Sequence, residues 1–201
     1  MKLFYAPGVC SIGIHVLMEE IGKPYDAISI NLREGAQYKP EFTAVNPKSK
    51  VPALIDDEGT LRTEYQSIAY WLARKNPFAN LLPDNIDLQA KAMEVMDYCV
   101  GTLHGQGFAR IFRPERFGQD PAASKAAGTE MLNKGFAELS KALGSADYVV
   151  GKFSVADSAL FYVEFWARRI DYTLPANCAA HLERMLARPS VQRTLAAEGL
   201  A

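Results

Sequence analysis

Cys10 is the residue of this sequence most suited to covalent or acid–base chemistry. It follows a short β-prone run over 2–5 and a Pro-Gly turn, and a helical pattern begins at Ser11. The N-terminus of a helix carries unpaired N–H groups and about half a positive charge, and both stabilise a thiolate. We therefore expect Cys10 to be catalytic, with a pKa below that of free cysteine. The alternative is an inert residue, because cysteine often packs as a small hydrophobe.

A second segment could bind a ligand through its backbone. Asn46 begins a loop of Pro, Lys and Ser that ends at Val51 and Pro52. A proline that opens a strand cannot donate to the sheet, and the residue before it is held in an extended conformation. Val51 could then pair its N–H and C=O groups with a peptide ligand by strand addition. A plain turn is the alternative interpretation.

A third candidate is Glu64, a carboxylate at the start of a predicted helix whose next residue is Tyr65. Its side chain could cap the N–H groups of that helix, or it could face a cleft and receive a ligand ammonium. The N–H groups behind it could bind a ligand carboxylate. These residues alone leave both interpretations open.

The segments that position these candidates alternate between strand and helix. Strands are predicted over 2–5 and 26–30, and a hairpin begins with the run over 51–55. An amphipathic helix runs from 11 to 21, and a further helix covers 65–75. The predicted order is β-α-β-(α)-β-β-α.

Beyond a Pro- and Asn-rich linker over 76–83, only helical patterns follow. The predicted helices cover 86–112, 122–143, 154–170 and 178–198. Ser154 and Asp157 are spaced for a capping box, a folding device, at the third of these. We therefore predict an α/β domain over 1–77 and an all-α domain over 86–201.

Composition excludes several functional classes. A net charge of −1 gives no basic surplus for a nucleic acid or an acidic membrane. The sequence has neither a signal-peptide pattern nor a run of the ~18 apolar residues that a membrane span requires, so we expect a cytoplasmic protein. Cys10, Cys99 and Cys178 lie far apart without CxxC spacing, which indicates neither a disulfide framework nor a metal site.

The three candidate segments together resemble the glutathione transferase family, in particular its bacterial beta type, over essentially the whole chain. The resemblance implies a thioredoxin-like first domain with a cis peptide bond before Pro52, followed by a helical domain. It implies glutathione as co-substrate, no metal and a homodimer. Beta-type members carry a cysteine at the position of Cys10, whereas other classes use Tyr or Ser nearby. Ser11 is therefore a rival catalytic residue, and Tyr5 is interpreted as structural.

The resemblance also implies a binding mode for glutathione. The tripeptide would lie extended along Val51, with its γ-glutamyl end around Glu64 and Tyr65 and its sulfur beside Cys10. Family members usually carry Ser or Gly at the position of Tyr65, where a hydroxyl can bind the γ-glutamyl carboxylate. With Tyr65 there, the γ-glutamyl carboxylate would depend on backbone N–H groups alone.

The helical half resembles the beta-type helix that faces the glutathione thiol. His104 would be catalytic there, because a histidine near a thiolate can donate to it or share its proton. Asp97, often Asn in beta-type relatives, would contact glutathione. The electrophile pocket would be aromatic, and each of its candidates could also be core packing. These candidates are Phe108, Phe112, Tyr162 and Trp166.

The function implied is that of a transferase in detoxification, which stabilises the glutathione thiolate for attack on small hydrophobic electrophiles. Two alternatives remain. The first is glutathione-dependent thiol–disulfide exchange through Cys10, in a monothiol cycle because no second cysteine is adjacent. The second is a non-catalytic binding protein of the same fold, which the departures at Tyr65 and Asp97 keep open.

Overall fold

The computed structural model describes every residue of the chain, which forms two compact units. Met1–Leu81 and Met185–Ala201 build the first unit, and Leu82–Arg184 builds the second. The division by sequence into 1–77 and 86–201 differs from this in the C-terminal segment. Which unit that segment joins depends on the helix it packs against, and no local sequence pattern encodes that choice.

Four strands form the sheet of the first unit: β1 (Lys2–Tyr5), β2 (Asp26–Ser29), β3 (Ala53–Ile55) and β4 (Leu61–Thr63). Their order is β2-β1-β3-β4, with β1 parallel to β2, and with the pairs β1–β3 and β3–β4 antiparallel. This mixed sheet confirms the predicted strands and hairpin, although β2 ends one residue earlier than expected. β3 begins after Pro52, because proline has no N–H group to donate to a sheet.

Helices complete both units. In chain order they are α1 (Ser11–Ile21), α2 (Pro40–Thr43), α3 (Tyr65–Lys75), α4 (Ile86–Asp97), α5 (Ala109–Phe112), α6 (Pro121–Leu143), α7 (Val155–Arg169), α8 (Ala176–Leu186) and α9 (Pro189–Ala197). α1 follows the predicted span and ends at Gly22, whose φ of 70° is the left-handed conformation that glycine favours at a helix end. None of the helices has the length and apolar character that a membrane crossing requires.

The predicted single helix over 86–112 is interrupted by a π-helical segment, Tyr98–Phe108, between α4 and α5. Close packing against α6 accompanies this change. A Cβ atom at Gly107 would lie 2.7 Å from Leu132 Cδ2, and one at Gly135 would lie 2.7 Å from Leu103 Cδ1. Glycine therefore allows the wider π segment to approach α6, a tertiary effect that helical periodicity does not encode.

The predicted helix over 178–198 is wrong as a single element, because α8 ends at Leu186 and α9 begins at Pro189. A proline cannot continue a helix, and it forces the residue before it into an extended conformation. Arg188 has that conformation, with φ −70° and ψ 135°. Pro189 was thus the local signal for the break.

The other two helices of the second half confirm the predictions over 122–143 and 154–170. At the start of α7 the predicted capping box is present. The side chain of Asp157 accepts a hydrogen bond of 2.8 Å from the backbone N–H of Ser154. The observed architecture is therefore the predicted one, a mixed α/β sheet region of thioredoxin-like type followed by helices.

Candidate active site

The thiol of Cys10 and the carbonyl group of Val51 meet in the first unit. Cys10 directly precedes α1, and its Sγ atom donates a hydrogen bond of 3.6 Å to the Val51 oxygen. The peptide bond between Val51 and Pro52 is cis, as the resemblance implied. The candidate nucleophile and the candidate peptide-binding edge, which lie far apart in sequence, therefore form one site.

The expected low pKa of Cys10 is wrong for this structure. Burial of the thiol raises its pKa to about 12, and the backbone N–H groups of Ser11 and Cys10 and the charge of Lys50 offset only part of this effect. The helix N-terminus supplies a favourable field, but the cost of removing a thiolate from water is larger. The raised pKa favours the neutral thiol, which can act as a hydrogen-bond donor.

The structure also corrects the catalytic role expected of Ser11. Its side chain is fully buried, and Oγ accepts a hydrogen bond of 3.1 Å from the N–H of Ala6. The same hydroxyl donates to the Ala6 carbonyl oxygen at 3.2 Å. Because its proton is committed to the backbone at the end of β1, Ser11 is a structural residue that closes the turn before Cys10.

A carboxylate from the C-terminal segment, which belongs to no recognisable motif, supports this turn. Glu198, whose side chain is fully buried, accepts a hydrogen bond of 2.8 Å from the N–H of Gly8. Its other oxygen accepts one of 2.8 Å from Nδ1 of His15 in α1. Glu198 lies 190 positions from Gly8 along the chain, and therefore no spacing rule could have revealed the contact.

Glu64 does not cap α3. It occupies the N-cap position with φ 68° and ψ 127°, but its side chain accepts no capping hydrogen bond. A positive φ is uncommon for a residue other than glycine and is often found at functional sites. The carboxylate is exposed and accepts a hydrogen bond of 2.7 Å from Lys48 Nζ. The capping interpretation is therefore wrong, and the carboxylate is accessible to a ligand.

The predicted residues of the second unit form an aromatic cluster around His104, which lies on the π segment. The ring of His104 is 4.7 Å from that of Trp166 and 5.9 Å from that of Tyr162, edge to face in both cases. Phe108 stacks on Phe112 at 5.6 Å and contacts Trp166 at 5.4 Å. The sequence thus identified residues that share one cluster.

Burial separates the roles that these aromatic residues can have. Phe108 and Tyr162 are fully buried and Trp166 nearly so, whereas Phe112 is 44% exposed. An electrophile could contact Phe112 directly, and Phe108 and Tyr162 can only support the cluster from behind. The Tyr162 hydroxyl also lies 3.5 Å from Nδ1 of His104, close enough to influence which ring nitrogen carries the proton.

Asp97 is exposed at the end of α4, where it lines an open groove of about 880 Å³ with residues of the π segment and α6, among them Tyr98 and Glu138. His104 and the aromatic cluster are not among the lining residues of this groove. The structure contains no group of three or more His, Cys, Asp or Glu side chains placed to hold a metal ion, in this groove or outside it. The contact of Asp97 with glutathione stays a prediction.

Comparison with known proteins gives consistent results. The profile described as "Glutathione S-transferase, N-terminal domain" matches residues 9–75, which include Cys10, Val51 and Glu64. Glutathione S-transferase GstA of Escherichia coli O157:H7 is 38% identical over 205 aligned residues that cover all of both chains.

Two solved structures show the same similarity. The bacterial beta class glutathione S-transferase of Sphingomonas chungbukensis aligns over both full chains with a TM-score of 0.87 and 32% identity. A sphingomonad glutathione S-transferase complexed with glutathione aligns equally completely, with a TM-score of 0.85 and 31% identity. The similarity therefore extends across both units of the chain.

Proposed function

Because the chain belongs to the glutathione S-transferase family, we propose that it binds glutathione and stabilises its thiolate for attack on small hydrophobic electrophiles. The observation that carries this proposal is the hydrogen bond of 3.6 Å between Cys10 Sγ and the Val51 carbonyl oxygen beside the cis bond. It brings a polar sulfur group to a backbone edge suited to a peptide. The similar sphingomonad enzyme was solved with glutathione bound, which supports this choice of ligand.

In the proposed complex, glutathione pairs its cysteinyl N–H and C=O groups with the backbone of Val51. Its γ-glutamyl ammonium binds Glu64, and its sulfur lies at Cys10 near the start of α1. The first unit then serves as the glutathione-binding domain. The second unit contributes the electrophile pocket, with Phe112 as its exposed aromatic contact.

Cys10 acts in this proposal as a neutral donor and not as the nucleophile. Since burial raises the pKa of Cys10, its thiol keeps its proton, which it donates to the Val51 carbonyl oxygen in the free protein. When the cysteinyl N–H group of glutathione takes that carbonyl, the S–H group is released to donate to the glutathione sulfur and stabilise the negative charge there. His104 is the second proposed donor. Lowering the pKa of glutathione by two units would correspond to about 2.7 kcal/mol of preferential thiolate binding.

The raised pKa supports conjugation over thiol–disulfide exchange. Exchange requires a protein thiolate to attack a disulfide, and burial suppresses that species at Cys10. Conjugation requires only the thiolate of glutathione. We therefore favour conjugation and propose a cytoplasmic homodimer in a detoxification role, as the resemblance implies.

Retention on glutathione resin, combined with a turnover assay on an activated aryl halide, tests this function. We expect retention, elution by free glutathione and measurable conjugation. Retention without conjugation of several aryl halides would favour exchange or ligand carriage instead. Failure to bind the resin or free glutathione would contradict the proposal.

A further inference from the structure

Lys48 and Glu64 form a pair of opposite charges at the predicted γ-glutamyl site. Lys48 Nζ donates to Glu64 Oε1 at 2.7 Å and to Thr63 Oγ1 at 3.0 Å. Both charged side chains remain about half exposed, at 51% and 56%. The first unit thus presents a cation and an anion side by side, and both are accessible to a small molecule.

The backbone that carries Lys48 is held by a buried amide. Asn46 is 1% exposed, and its side chain accepts a hydrogen bond of 3.1 Å from the N–H of Lys48. The same side chain donates one of 2.8 Å to the carbonyl oxygen of Lys50, the residue before Val51. Ser49 lies between them with φ 55°, a conformation that is uncommon for serine. The loop that ends at the peptide-binding edge therefore also fixes the backbone position of Lys48.

Tyr65, the residue after Glu64, does not present its hydroxyl group to a γ-glutamyl carboxylate. Tyr65 is only 4% exposed, so its side chain is packed inside the protein. The γ-glutamyl head of glutathione carries an ammonium and a carboxylate on the same carbon. A site with Glu64 alone would attract the first group and repel the second. Lys48 adds a full positive charge to the N–H groups at the start of α3.

We propose that Lys48 and Glu64 together bind the zwitterionic γ-glutamyl head, with Glu64 receiving the ammonium and Lys48 the α-carboxylate. This inference rests on the proposed function, since it assigns a ligand group to each charge of the glutathione site. On binding, the ion pair between the two side chains exchanges partners with the ligand. Both protein charges remain neutralised in the complex. The site therefore favours ligands that carry an ammonium and a carboxylate on the same carbon.

The test is the affinity of Lys48→Met for three ligands, measured by titration calorimetry. They are glutathione, the analogue 4-aminobutanoyl-Cys-Gly, which lacks the α-carboxylate, and γ-glutamyl-Cys-glycinamide, which lacks the glycine carboxylate. Lys48→Met should weaken glutathione binding by about tenfold, the loss typical of one charge-assisted hydrogen bond. It should weaken the glycinamide analogue equally and leave the affinity for the aminobutanoyl analogue unchanged.

Lys75→Met is the matched control. Lys75 Nζ pairs with Glu58 Oε1 at 3.3 Å in the same unit, and the two side chains are 55% and 70% exposed. This variant should bind all three ligands like the wild type. An effect of Lys48→Met that disappears with the glycinamide analogue would assign Lys48 to the glycine carboxylate and overturn the inference. Unchanged glutathione affinity in Lys48→Met would overturn it as well.

Different results would contradict the proposed function and the role of Lys48. A wild-type protein that does not bind glutathione contradicts the proposed function. A wild-type protein that binds and conjugates glutathione, with Lys48→Met indistinguishable from it, contradicts only the role of Lys48.

Discussion

Each unit of the molecule contains a buried histidine paired with a carboxylate, and the two pairs support different structures. In the first unit, His15 pairs with Glu198 at 2.8 Å, and the other oxygen of Glu198 accepts the N–H of Gly8, two residues before Cys10. In the second, His181 pairs with Glu164 at 2.7 Å and approaches Asp157 at 3.3 Å. The same chemistry thus supports the candidate active site in one unit and a helix start in the other.

The second cluster differs in composition, because two carboxylates lie around one histidine and burial raises the pKa of Glu164 to about 7. Asp157 also accepts hydrogen bonds of 2.8 Å from the N–H groups of Val149 and Ser154. These contacts fix the loop that leads into α7. We therefore expect substitutions in this cluster to affect stability, and substitutions at Glu198 to affect the site as well.

The largest expected effect is that of Asp157→Ala. It removes the Asp157 half of the capping box of α7, and it leaves the N–H groups of Val149 and Ser154 and the ring of His181 with fewer partners, at a cost of about 3 to 5 kcal/mol in the free energy of unfolding. Urea unfolding measures this. Asp147→Ala, which removes an exposed partner of Arg184, should cost less than about 1 kcal/mol. Equal costs for the two variants would contradict the structural role of the cluster.

The second unit should also lose stability in alkaline solution. Burial alone would lower the pKa of His181, but the charges and hydrogen bonds of Glu164 and Asp157 raise it from 6.5 to about 9. A raised pKa stabilises the folded state fully below about pH 6.5, and this contribution is lost as the pH rises through about 9. Urea midpoints between pH 6 and 9.5 should therefore fall. The decline should be shallower in His181→Gln, and an identical decline would exclude His181 as its source.

A smaller effect on stability, with a larger one on the site, is expected for Glu198→Gln. The loss of its charge weakens the bonds to Gly8 and His15, at about 1 to 3 kcal/mol in unfolding free energy. The turn before Cys10 should loosen, which raises the KM for glutathione. Glu19→Gln is the control, because Glu19 pairs with Arg193 and joins the same helices, α1 and α9, without touching the turn. A raised KM in both variants would mean that helix packing alone is responsible.

Sequence predicted the elements whose signals are local. The end of α1 at Gly22, the cis bond before Pro52 and the capping box of Ser154 each follow from a few neighbouring residues or from the family resemblance. The bond between Glu198 and Gly8 was not predictable, because it joins opposite ends of the chain. The same limit applies to the π segment, where packing against α6 outweighs local periodicity.

The expectations for Cys10 and Ser11 failed for a related reason. Both residues lie at the start of α1 as predicted, but the chemistry of their side chains depends on burial. Ser11 turns inward to Ala6, and the thiol of Cys10 loses more from desolvation than it gains from the helix N-terminus. Spacing along the chain identified where the site lies and not how its groups ionise.

The rate of Cys10 alkylation by iodoacetamide as a function of pH tests the central claim most directly, with mass spectrometry to separate Cys10 from the buried Cys99 and Cys178. The proposal that Cys10 is a neutral donor predicts a midpoint above the free-cysteine pKa of about 8.5. It also predicts that Cys10→Ala retains appreciable conjugation. A midpoint clearly below that of free cysteine would contradict this account, because Cys10 would then be a thiolate able to act as a nucleophile.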